Sequence, residues 1–127
     1  GGAGIATSAL CIGGGVQPAY VESYNGTNWT EVNDLNSGRS RNAGAGATNT
    51  AALTFGGEPA PSSALTEEWN GSNWTEVGDL NVGRQFFAGA GTTTNAIATG
   101  GQTPPGTITA STEEWSSSSN VVKTLTD

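Results

Sequence analysis

Apolar residues fall in short runs along this chain, and each run is closed by Gly, Asn, Thr or Pro. The clearest stretch is the middle. A small, apolar first strand is expected over residues 42–48, and Asn49-Thr50 turns it into a second over 51–55 that ends on Gly56-Gly57. A Pro-containing loop over 58–62 leads to a third strand over 64–69, ending in Trp69. Asn70-Gly71 then turns the chain into a fourth over 73–77, which opens with Trp74. Asn-Gly between two such runs is the strongest short-range hairpin signal. Asp79-Leu80-Asn81 carries the chain on to Arg84.

The same plan recurs on either side. The segment EEWNGSNWTEVGDLNVGR from Glu67 to Arg84 has a close copy, ESYNGTNWTEVNDLNSGR, from Glu22 to Arg39. Small-residue runs begin at Gly1, Ala43 and Ala88, and glycine pairs stand at Gly13-Gly14, Gly56-Gly57 and Gly100-Gly101. Acidic-aromatic steps end at Tyr24, Trp69 and Trp115. The spacing of about 42 to 46 residues belongs to four-strand propeller blades or to paired-helix arrays. Twenty glycines among 127 residues, with abundant Thr and Asn, exclude the helices. The expected fold is therefore all-β: a β-propeller of four-stranded antiparallel blades, with three blades at about 1–35, 39–80 and 84–127. A first strand almost without side-chain bulk suits an innermost position, where sheets converge on an axis. In the third unit the Asn-Gly-Ser-Asn-Trp hairpin is replaced by Ser116 to Asn120, and Asn120 falls where Trp29 and Trp74 stood. That reads as an end cap or a contact with another chain.

Taken in order, these landmarks make the unit resemble a kelch repeat. Arg39 or Arg84 precedes the first strand, small residues follow (43–46, 88–91), and an apolar second strand ends in Gly-Gly. Glu68-Trp69 or Glu114-Trp115 lies on the third strand and Trp74 on the fourth, with Leu10 to Gly14, Glu22, Tyr24 and Trp29 supplying the first unit. The resemblance covers nearly the whole chain and departs from the family in the missing third Trp and in the weak second strand around Ile97. The Gly/Thr/Asn-rich style also resembles kelch-like repeats in fibre and adhesin proteins of phages and environmental bacteria. It implies an extracellular or virion-surface protein whose task is assembly and attachment. The alternative is a lectin-like module binding a ligand, such as a surface glycan, on the loops between second and third strands.

Propellers close with about four to eight blades, so three blades alone expose the faces of both end sheets. Closure then comes from elsewhere: two chains head to tail, a longer parent chain, or a contact that does not close and gives a filament. A homo-oligomer is the expected partner arrangement. Only 34% of residues are hydrophobic and many of those are Ala, a thin core for a unit standing alone. The formal net charge is −7, with Arg39, Arg41, Arg84 and Lys123 the only cations, which argues against a nucleic-acid partner and against docking on anionic lipid. No apolar run approaches the length of a membrane span.

The chemistry on offer is narrow. There is no His and only one Cys, so His/Cys metal sites, Ser-His-Asp or Cys-His triads and the copper site of kelch-like oxidases are all lacking, and no cofactor is expected. Glu67-Glu68 and Glu113-Glu114 are adjacent, so on a strand they point to opposite faces and cannot act as a pair; one of each is expected to face solvent or cap a neighbouring strand. Ser72-Asn73-Trp74 lacks the Asp of a sialidase-type Asp-box. Tyr24, Trp29, Trp69 and Trp74 are expected to pack between blades, with sugar stacking as the other use. Arg39 and Arg84, near Asp34 and Asp79, are expected to form a repeated Asp-Arg link, with a ring of Arg holding an anion as the alternative. Cys11 falls at the position of Thr54 and Ala98 and is expected to be a small core residue. The loops after each glycine pair emerge on one face and offer Gln17, Pro18, Glu58, Pro59, Gln102 and Pro104 as ligand-contacting candidates. Asn25, Asn28, Asn70 and Asn73 each begin a glycosylation sequon.

Overall fold

The computed structural model describes residues 1–15, 19–58, 63–117 and 123–125. The first sheet holds β1 (Gly2–Ile5), β2 (Ser8–Ile12), β3 (Val21–Tyr24) and β4 (Trp29–Val32), side by side in chain order. The second repeats the order with β5 (Ala43–Thr48), β6 (Ala51–Phe55), β7 (Thr66–Trp69) and β8 (Trp74–Val77). In the last part of the chain come β9 (Ala88–Gly91), β10 (Asn95–Thr99), β11 (Gln102–Thr103), β12 (Thr107–Ile108), β13 (Thr112–Ser116) and β14 (Lys123–Leu125). Strands β9, β10, β13 and β14 form the third four-stranded sheet, and β11–β12 is a small hairpin inserted in its second loop. Every pairing is antiparallel, and no helix occurs among the described residues. The chain is thus all-β, built of repeated four-stranded antiparallel sheets.

The local chemistry explains the turns. Asn25 Oδ1 accepts the N–H groups of Thr27 and Asn28, and Asn70 Oδ1 those of Ser72 and Asn73, at 2.8 to 2.9 Å. Gly26 and Gly71 follow at φ of 94°, where a side chain would be strained. The third strand of the middle unit starts at Thr66, two residues later than the sequence pattern suggests. The carbonyls of Ala64 and Leu65 are taken instead by the N–H of Leu80 and by Gly56 N–H together with Arg39.

Register places the side chains on two faces of each sheet. The face of the first sheet carrying Leu10, Ile12, Val21 and Val32 packs on the second sheet's Ala52, Trp69 and Trp74, with Leu35 from the linker closing the layer. The opposite face of the second sheet, with Ala45, Leu53 and Phe55, packs on Ala96, Ala98 and Trp115 of the third, closed by Leu80. Each core therefore lies between successive sheets. At the inner strands the backbones nearly touch: a Cβ on Gly44 would stand 2.3 Å from Gly2 O, and one on Gly89 2.8 Å from Gly44 O. Only a glycine permits that approach.

The missing third-unit Trp has a local consequence. Trp74 Nε1 donates to Asn33 O in the linker between the first two sheets. In the third unit it is Trp115, on the neighbouring strand, whose Nε1 reaches the corresponding carbonyl of Gly78 at 2.9 Å. Asn120, expected at the Trp position, lies outside the described residues.

Candidate functional site

Two buried ion pairs join the linkers to the sheets. Arg39 Nη2 lies 2.6 Å from Glu67 Oε1, both side chains 1% exposed, and Arg84 Nη2 lies 2.6 Å from Glu113 Oε1 in the same arrangement. Each carboxylate also accepts two backbone N–H groups of the linker, Asn36 and Ser37 on Glu67, Asn81 and Val82 on Glu113. Each guanidinium also donates through Nη1 to two carbonyls, Gly56 and Leu65 or Gly100 and Ser111. Burial pushes the Arg39 guanidinium below its ordinary pKa, while Glu67, through charge and hydrogen bond, and the negative charges of Asp79 and Glu76 oppose the shift. These contacts correct the expected Asp-Arg link. Asp34 is exposed, and Asp79 accepts the Thr66 N–H at 3.3 Å instead. The adjacent glutamates point to opposite faces: Glu68 and Glu114 are partly exposed, while Glu67 and Glu113 are buried and hold the linker amides.

In the first sheet the corresponding positions are uncovered. Trp29 is 51% exposed where Trp74 is 5% exposed, although each stacks on a third-strand aromatic in the same way. The Tyr24–Trp29 centroids are 5.0 Å apart and tilted 31°; those of Trp69–Trp74 are 5.3 Å apart and tilted 39°. Glu22, opposite Cys11, stands at the register of Glu67 opposite Thr54, and it too is exposed. Cys11 is exposed as well, against the expectation of a core residue. The physical reason is common to Trp29, Glu22 and Cys11: among the described residues no sheet is laid against this face. The far face of the third sheet is open in the same sense. Ala90, Ile97 and Glu114 line a shallow cavity of about 350 Å³ there, at the register where Ala45 and Leu53 are buried.

The loop face gathers a second group of side chains. Arg41 pairs with Glu58 and lies 4.5 Å over the Phe86 ring. Phe86, Gly101, Gln102 and Ile108 line a recess of about 330 Å³ beside it. Of the ligand-loop candidates, Glu58 and Gln102 belong to this surface, and Pro104 is exposed at the tip of the β11–β12 hairpin. Gln17, Pro18 and Pro59 lie outside the described residues. Arg41, Phe86 and Ile108 were not singled out by the sequence. Their signal is weak: Arg41 and Phe86 fill the same repeat position and both adopt positive φ, 56° and 53°, a strained conformation for bulky residues. Asn25, Asn28, Asn70 and Asn73 are all exposed. No group of three or more His, Cys, Asp or Glu that could hold a metal ion occurs among the described residues.

No family model matches the chain, and no curated protein sequence matches it. Solved structures do match. One, described as "Structure of YjhT", superposes with a TM-score of 0.79 over 98% of this chain, at 15% sequence identity. The matched region covers 44% of that protein, so this chain spans less than half the length of its structural counterpart. At that identity the likeness is one of fold.

Proposed function

We propose that this chain is a section of a kelch-like β-propeller and that its work is structural. It joins further four-stranded units through its two open sheet faces to complete a ring or extend a filament, as an attachment component on the outside of a cell or virion. One observation carries the reading: Glu22, Tyr24 and Trp29 keep the geometry of a sheet–sheet joint, while their repeat counterparts Glu67, Trp69 and Trp74 are buried in one. The open face of the third sheet, with Ile97, offers the other half of such a joint. Convergent inner strands of Gly and Ala, and likeness to less than half of a longer fold, support a ring of about twice this many blades. The other units come from a second copy or from a longer array of the same repeat. The outside location is supported by the resemblance to fibre and adhesin repeats. No catalytic role is assigned to any residue. Sedimentation velocity over a wide concentration range, with electron microscopy of the heaviest species, tests the reading. Rings or filaments support assembly from copies of this chain; a monomer at every concentration overturns that assembly and leaves the longer array as the only source of the remaining units.

The recess of Phe86, Gln102 and Ile108, with Arg41 and Glu58 beside it, favours a second reading, a lectin-like module. Aromatic and planar polar groups around a shallow recess suit a sugar ring. A glycan array probed with the purified chain and with Phe86→Ala separates this from the first reading: binding lost in the variant supports it, and no binding ends it.

A further inference from the structure

We propose that the open face of the first sheet is a receptor for an arginine, delivered by a neighbouring four-stranded unit on a linker of the form Leu-Asn-x-Gly-Arg. The inference rests on the assembly reading above and names what the partner must carry.

The receptor is seen filled twice within the chain. Leu35 to Arg39 and Leu80 to Arg84 each lay a buried Leu into the layer between sheets and place two backbone amides and one guanidinium on a glutamate. The first sheet has every acceptor of that arrangement. Glu22 lies opposite Cys11 as Glu67 lies opposite Thr54 and Glu113 opposite Ala98. The two carbonyls that hold the rest of the guanidinium are set by one hydrogen bond. Gly56 N–H donates to Leu65 O at 2.9 Å and Gly100 N–H to Ser111 O at 3.0 Å, and in the first sheet Gly13 N–H donates to Tyr20 O at 2.9 Å. The carbonyls of Gly13 and Tyr20 therefore stand where Arg39 and Arg84 find theirs. Glu31, directly across from Glu22, adds a second negative charge, as Glu76 does beside Glu67. Glu22 forms no ion pair among the described residues. Both the charge and the continuity with the two internal joints thus call for a cation at this place.

The same geometry restricts the partner. Both Leu-Asn-x-Gly-Arg segments of these 127 residues are internal, and both arginines are engaged. A unit docking on the first sheet without such a linker would bury Glu22 facing Glu31 with no cation, and a buried charge left alone is strongly unfavourable. The proper occupant is a unit that ends in its own arginine linker.

The test adds the linker to the chain. A copy of residues 35–42, LNSGRSRN, is placed directly before Gly1, with a second version carrying glutamine for its first arginine. At a concentration where the chain is monomeric, the arginine version should raise the unfolding midpoint by roughly 3 to 6 °C over the glutamine version. Glu22→Gln in the arginine version should remove that gain. Equal midpoints for the two extensions, or a gain that survives Glu22→Gln, would overturn the proposal. The assembly reading is judged separately, by sedimentation of the same proteins. An arginine-dependent gain in a chain that never associates sinks assembly from copies of this chain and leaves the receptor standing, while association that ignores the arginine does the reverse.

Discussion

Arg39 and Glu67 meet at 2.6 Å with both side chains 1% exposed, and the contact fastens the linker between the first two sheets to the third strand of the second. Five further hydrogen bonds converge on this pair, so removing one partner leaves a charge and several polar groups stranded in the interior. Breaking such a buried pair costs about 3 to 5 kcal/mol. Arg39→Met and Glu67→Leu should each lower stability on that scale, whereas the double variant carrying both should recover the part of the loss that comes from a stranded charge. Urea unfolding of the three variants, read as a double-mutant cycle, measures the difference. An additive double variant would mean the two residues act independently.

Trp29 and Trp74 share one repeat position with opposite environments. Trp74→Ala should cost about 3 to 5 kcal/mol, and Trp29→Ala about 1 kcal/mol or less in the monomer. Fluorescence offers an independent check. Trp69, Trp74 and Trp115 are buried, so acrylamide should quench one fraction of the emission readily, and Trp29→Phe should abolish that fraction. If docking on this face occurs, the quenchable fraction should shrink as protein concentration rises.

Much of this architecture was legible because its signals are short-range. Asn70-Gly71, Gly56-Gly57 and the runs between them specify turns and strands from a few neighbouring residues, and their recurrence places the strands of the first two sheets and the first three of the third, while the β11–β12 hairpin and β14 carry no such signal. The ion pairs were not legible in the same way. Glu67 is 28 residues from Arg39, and Asp34 is nearer along the chain, so only the register of β7 against β6 reveals which carboxylate turns inward. Equally, sequence marks Trp29 and Cys11 as repeat positions but not whether another sheet covers them. Phe86 lacks a period-2 or hairpin signal altogether. Its place over Arg41 follows from two strained backbones in adjacent units.

Gly44 and Gly2 fill equivalent places on inner strands, with different neighbours. A methyl on Gly44 would stand 2.3 Å from a backbone oxygen of the preceding strand, whereas one on Gly2 meets nothing nearer than 3.5 Å. Gly44→Ala should therefore destabilise by about 1 to 3 kcal/mol through overpacking, and Gly2→Ala should be nearly neutral. Thermal unfolding of the two variants side by side checks the inner-strand packing without touching any charge. Equal effects would show that the inner strands have room to move apart.

Ile97 and Leu53 likewise occupy one register position, the second strand facing the next sheet, with Leu53 buried and Ile97 39% exposed. Leu53→Ala removes packing between the second and third sheets and should cost about 2 to 5 kcal/mol. Ile97→Lys faces only solvent in the monomer, so its stability should stay within about 0.5 kcal/mol of the parent. Any joint made through this face would bury the new ammonium against Ala and Leu-type surface, where an unpaired charge is strongly disfavoured. Self-association measured by sedimentation should then fall by at least roughly tenfold, about 1.4 kcal/mol. A variant that folds as before and associates as before would place the joint elsewhere on the molecule, and one that unfolds would mean that this face is already packed.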